Sequence, residues 1–137
     1  MANAIYPTYK NSLLQGDANT ALTGSGSTGL YVALVDTGTY TYSAAHQFYS
    51  SLSGVVGTDQ EITTVTTTGG LIDGDNVTFS SVSGSSVEAL VLYRKNAGAN
   101  TTWRLIAYID TSVTGLPVTP NGGDITVTWN ASGIIQL

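Results

Sequence analysis

Two stretches near the middle of the chain, Val87 to Lys95 and Thr102 to Asp110, constrain the fold more than any others. Both are rich in Val, Ile, Leu and Tyr, and the short Gly-containing link Asn96-Ala97-Gly98-Ala99-Asn100 makes them the arms of a β-hairpin. Successive side chains of a strand point to opposite faces. Val87, Ala89, Val91 and Tyr93 therefore share one face of the first arm, and Leu90 and Leu92 the other. Both faces are apolar, so the hairpin lies in the middle of a sandwich or has one side covered by another subunit.

The flanking sequence supplies further strands. Leu30 to Val35 reads as a buried strand before a turn at Asp36 to Gly38. Glu61 to Thr68, with its Thr, Ile and Val, suits another, and Asn76 to Ser81 a third behind the Asp73-Gly74 turn. After Pro120-Asn121-Gly122-Gly123 come the alternating strand Ile125, Val127, Trp129 and a terminal strand near Ile134. Helical spacing is confined to the first part. Tyr6, Tyr9, Leu13 and Leu14 fall close to one face of a helix that starts near Pro7 and ends at Gly16, and Ala45, Phe48 and Leu52 predict a second short helix over Ala44 to Leu52. The expectation is one mainly β domain over residues 1–137: an antiparallel β-sandwich or jelly-roll-like barrel with one or two short helices in its N-terminal part.

Charge narrows the role. Asp, Glu, Lys and Arg make up 9% of the 137 residues, against about 25% in an average soluble domain. Ser, Thr, Asn and Gly carry the polar surface instead, which suits a protein packed against neighbours. A formal charge of −5 and a pI near 4.3 argue against nucleic acid and anionic membranes as partners, since phosphate binding needs a basic surface. Met1 to Lys10 has neither a basic n-region nor an apolar stretch, so a product made in the cytoplasm without a Sec-type signal is expected.

Chemical equipment is sparse. The chain has no cysteine, which removes disulfides, thiolate metal sites and cysteine nucleophiles. His46 is the single histidine, so a metal site with several imidazoles or a proton shuttle through a second histidine is excluded; beside Phe48 and Tyr49 it reads as a packed or hydrogen-bonded residue in place of a triad member, and no GxSxG elbow is present. Gly24, Gly26 and Gly29 have dinucleotide-fingerprint spacing but precede a strand instead of following one, so a Thr23 to Gly29 loop is the better reading. Asp73-Gly74-Asp75-Asn76 clusters oxygen ligands without the spacing of a calcium loop. No catalytic, cofactor or metal residue is expected, and no enzymatic activity. Eight tyrosines and two tryptophans could stack on sugars, though Tyr93 and Trp129 share faces with aliphatic residues and read as core or interface. Arg94, Lys95 and Arg104 gather near the hairpin tip, with Glu88 and Asp110 at its base, a distribution suited to complementary contacts with another subunit.

The sequence also resembles the small β-rich virion proteins of tailed bacteriophages. The resemblance is carried by Tyr31-Val32-Ala33-Leu34-Val35-Asp36-Thr37 with Tyr40 and His46-Gln47-Phe48, by Asn76-Val77-Thr78-Phe79, and by Glu88-Ala89-Leu90-Val91-Leu92-Tyr93. Arg104-Leu105-Ile106-Ala107-Tyr108-Ile109-Asp110, Gly115 to Asp124 and the opening Met1-Ala2-Asn3-Ala4 with Tyr6 and Tyr9-Lys10 add to it. It implies a virion component, and for a protein of this size a capsid decoration or cement protein that binds the major capsid protein, itself a homo-oligomer and expected as a trimer. A tail or fibre component is the alternative, and a surface carbohydrate-binding module a second one. The expected contact residues are Ile5, Tyr6 and Tyr9 in the segment 1–16 and Arg94, Lys95 and Arg104 at the hairpin tip.

Overall fold

The computed structural model describes residues 3–22, 29–111 and 113–137. The chain is mainly β and antiparallel, with one α-helix among the described residues, near the N-terminus. Its centre is a five-stranded sheet in the order β1-β7-β6-β2-β3, built from β1 (Ala4–Ile5), β2 (Gly29–Val35), β3 (Val55–Glu61), β6 (Ala89–Lys95) and β7 (Arg104–Ile109). Two small sheets accompany it: β4 (Leu71–Ile72) pairs with β9 (Ile135–Gln136), and β5 (Val77–Phe79) with β8 (Ile125–Val127).

The predicted hairpin is β6 and β7, and both of its faces are buried by the chain itself. Cross-strand register puts Tyr31, Ala33 and Val35 of β2 opposite Tyr93, Val91 and Ala89 of β6, with Tyr108 of β7 opposite Val91. This first face is roofed by the connection between β2 and β3: Tyr40 and Tyr42 pack on Tyr108, and Tyr49 packs on Tyr93 with ring centroids 4.6 Å apart. The second face, with Leu30, Val32, Leu34, Leu90 and Leu92, joins one continuous core with Ile72, Phe79, Ile125, Val127 and Trp129 from the small sheets and their flanks. Of the two environments open to the hairpin, the middle of a sandwich is the one realised, and no second subunit is needed to cover it.

The helix α1 (Pro7–Gln15) starts and stops where the sequence predicts. Pro7 stands in its first turn, where no backbone N–H is required, and Gly16 closes it in the left-handed conformation at φ 70°. The face differs in one residue: Leu14 is 87% exposed. It lies five residues beyond Tyr9, which at 100° per residue turns it away from the stripe formed by Tyr9 and Leu13.

Two expected elements are replaced. Ala44 to Leu52 forms no α-helix, only a 3₁₀ turn at Tyr49–Ser51. The backbone of this stretch is claimed by the outer edge of β7. Leu105 N donates to Gln47 O and Tyr49 N to Trp103 O, continuing the ladder that β1 begins at Tyr108 and Ala107. Glu61 to Thr68 is not a strand; β3 lies earlier and ends at Glu61. Thr63 and Thr64 instead turn their hydroxyls to the Asp75 carboxylate, with Thr64 at φ 56°, so side-chain hydrogen bonds outcompete their strand preference. The Thr23 to Gly29 loop lies outside the described residues except for Gly29, which opens β2.

Candidate functional site

At one end of the first sheet face the aromatic layer comes to the surface. Tyr93 sits on β6 between Tyr31 of β2 and Trp103 just before β7, at centroid distances of 5.9 and 5.8 Å and interplanar angles of 29° and 11°. Tyr93 is buried, whereas Tyr31 and Trp103 keep part of their surface in solvent. The indole of Trp103 is pinned by its Nε1–H donating to Gly98 O at 3.0 Å. Lys95, two residues along β6 from Tyr93 and so on the same face, lays its ammonium 4.9 Å from the Tyr31 centroid and 5.0 Å from that of Trp103.

Asp59 of β3 stands beside these rings. Its Oδ2 accepts hydrogen bonds from the Tyr49 hydroxyl at 2.8 Å and the Tyr93 hydroxyl at 2.7 Å. No donor among the described residues reaches its buried Oδ1. Burial pushes the Asp59 carboxyl above the usual range, against the opposing pull of the two hydroxyls and of Lys95. Burial, then the neighbouring carboxylate, raises Tyr93 and Tyr49 above the ordinary tyrosine value. Together these side chains line a recess of about 320 Å³, at the small end of the ~300–1,000 Å³ of small-molecule sites. It offers aromatic faces and one ammonium, beside a carboxylate whose Oδ1 is buried and whose Oδ2 is taken by two tyrosine hydroxyls.

A second polar cluster lies deeper. The Tyr40 hydroxyl is 2.8 Å from the Tyr6 hydroxyl and 2.8 Å from Nδ1 of His46. Thr8 Oγ1 donates to His46 O, so the chain of hydroxyls also ties α1 to the roof of the sheet. Burial and the partner Tyr40 hold Tyr6 far above its ordinary pKa. His46 thus has a packing and hydrogen-bonding place in the fold.

A third feature is apolar. Among the described residues the exposed large hydrophobic side chains are Leu14 at 87% and Leu137 at 46%. They lie together: Leu13, Leu14, Leu137 and the stem of Lys10 line one shallow apolar recess on the outside of α1.

No protein-family model matches the chain, and no curated protein matches it. The site residues must therefore be judged on their surroundings.

Of the six residues expected to contact a partner, three have no usable surface. Tyr6 and Tyr9 are core residues at 0% and 2% exposure, and Tyr9 is further fixed by its hydroxyl donating to Thr20 O. Arg94 is 8% exposed and donates to Ala21 O and Lys95 O. Ile5 is half-buried on β1. Arg104 is turned inward toward the chain after α1, donating to Ala18 O at 2.9 Å and Ser12 Oγ at 2.7 Å, with Asp17 3.7 Å away. Lys95 stands over the rings of Tyr31 and Trp103, where it lines the recess. The hairpin's separation of charges is thus answered inside the chain: Glu88 at its base accepts from the backbone N–H and hydroxyl of Thr37.

The Asp73 to Asn76 run is occupied with the fold as well. Asp75 receives Thr63 and Thr64, its carbonyl accepts Trp129 Nε1–H, and Asn76 Oδ1 accepts Trp129 N–H. Asp124 accepts from Ser81 N–H. Sequence reasoning missed Asp59, which lies in a stretch of no periodicity, Trp103, which stands in the predicted hairpin arm Thr102 to Asp110 without being singled out, and Leu14. The signal for Leu14 was present: adjacent leucines on a helix are 100° apart, so one of Leu13 and Leu14 lies toward the edge of the stripe.

Proposed function

We propose that the chain is a bacteriophage virion structural protein, a capsid decoration or cement protein that docks on the major capsid protein through the apolar outer surface of α1. The observation that carries the docking surface is the pairing, beside Leu13, of Leu14 with Leu137, the exposed large apolar side chains among the described residues. The resemblance to small virion proteins supplies the class of partner, and the low charge suits a molecule held among neighbours. The segment 1–16 keeps its proposed part in subunit contacts, with Leu13 and Leu14 replacing Tyr6 and Tyr9 as the contacting side chains. Stabilisation then follows from mass action, because a protein that binds only the assembled lattice raises the free energy needed to open it.

The test is addition of the purified protein to capsids lacking it. Saturable co-sedimentation with capsids and a higher capsid rupture temperature are expected. Leu14→Lys, which keeps a good helix former and puts a cation near the helix C-terminus, should abolish both effects while the free protein melts as the wild type does. Association with tails alone, or capsid binding untouched by L14K, would overturn the proposal. Sedimentation of the free protein tests the trimer separately.

A further inference from the structure

We propose that the recess formed by Tyr31, Trp103, Lys95 and Asp59 is a binding site for a neutral saccharide, one that stands independently of the capsid reading. The platform is aromatic and preformed. Tyr31 and Trp103 flank the buried Tyr93 at nearly parallel inclination, and Trp103 is locked by its bond to Gly98 O. The exposed parts of these rings are surface that the roof over the rest of the sheet face leaves uncovered. An aromatic face carries partial negative charge and attracts polarised C–H groups, which is what one side of a pyranose ring presents. Rings fixed beforehand lose little freedom on binding.

Electrostatics selects the class of ligand. Lys95 already places an ammonium over both rings, so a second cation would have to displace it. The Asp59 carboxylate next to them disfavours an anion. A neutral polyhydroxylated ring meets both conditions, since each hydroxyl both donates and accepts. Its hydroxyls accept from the Lys95 ammonium, which has three donors and a flexible stem, while the Asp59 carboxylate, with Oδ1 buried and Oδ2 taken by two tyrosine hydroxyls, sets the charge of the recess wall. Tyr49 and Tyr93 hold that carboxylate in position through Oδ2 and are positioning residues.

The experiment is a titration of the full chain with neutral mono- and oligosaccharides of glucose, galactose, mannose and N-acetylglucosamine. Binding is followed by tryptophan fluorescence and by backbone amide shifts in NMR spectra, with choline and sialyllactose as cationic and anionic controls. Saturable binding of at least one neutral saccharide is expected, with shifts concentrated at residues 31, 59, 95 and 103. Trp103→Ala and Tyr31→Ala should each weaken it roughly tenfold, as loss of an aromatic platform does. Lys95→Met, whose unbranched side chain keeps the packing of the stem, should weaken it while the chain still folds cooperatively, and so serves if either ring variant fails to fold. No saturable neutral-saccharide binding at millimolar ligand would overturn the proposal. So would binding indifferent to K95M and to whichever ring variants fold, or a preference for choline or sialyllactose.

Discussion

Asp59 is the residue at which fold and site pull in different directions. Its carboxyl is raised chiefly by burial, so the folded chain holds the proton to higher pH than the unfolded chain does. Below the ordinary carboxylate pKa both states are protonated and nothing is lost. As pH rises from there through the raised value, the unfolded state is favoured by the proton it releases and stability falls. Asp59→Asn removes this titration, so its melting temperature should gain on the wild type between strongly acidic and neutral pH; a constant offset would show that burial does not govern the group. The tyrosines give the alkaline counterpart. Tyr9 is pushed up to about 12 by burial, against the opposing pull of Arg94 and Arg104. Stability tied to its neutral hydroxyl is complete below pH 10 and is lost as pH rises through about 12. Tyr40→Phe should be the costlier change in the buried hydroxyl chain, at about 1–3 kcal/mol, because it leaves the fully buried Tyr6 hydroxyl without its hydrogen-bond partner. Chemical denaturation of Y40F against Y6F checks this, with Y6F expected to be milder since Tyr40 keeps His46.

At the scale of elements, what was legible in the sequence followed from local rules, and what was not followed from long-range competition for backbone groups. The hairpin, β2, β8 and α1 announce themselves by alternation, by apolar runs, or by Pro7 and Gly16 at the helix ends. β3 does not, because an edge strand with Gly57, Thr58, Asp59 and Gln60 owes its place to pairing with β2, not to its own propensity. Phe48 has helical spacing with Ala45 and Leu52, yet the free edge of β7 takes its neighbours' hydrogen bonds. The recess was hidden for the same reason: Tyr31, Asp59, Tyr93 and Trp103 come from four separated positions that only strand order brings together. Backbone constraints were equally invisible. Gly115 stands at φ 110°, and a Cβ there would meet Thr126 O at 2.7 Å, beside the Thr114 and Thr128 bridge that borders β8. Gly115→Ala should therefore destabilise the domain by more than the ~1 kcal/mol typical of a point mutation, read as a lowered midpoint in a denaturant titration.

For the whole molecule the decisive contrast is between two ways of meeting a neighbour. The sequence offered both, the apolar side chains Ile5, Tyr6 and Tyr9 and a few cations at one hairpin end; the fold buries Tyr6 and Tyr9, turns Arg94 and Arg104 inward and rests Lys95 on aromatic rings. That leaves a surface of few charges with an apolar recess beside α1. The two modes respond oppositely to salt. Charge-led association weakens as the screening length shrinks from about 10 Å at 0.1 M to about 3 Å at 1 M salt, whereas apolar burial is indifferent to it or strengthened by excluded salts such as sulfate. Under the proposed docking, capsid binding should accordingly hold constant across that salt range and improve in ammonium sulfate, measured by co-sedimentation at fixed capsid concentration. A loss of binding with added sodium chloride would return the contact to the charged side chains and remove Leu14 and Leu137 from it.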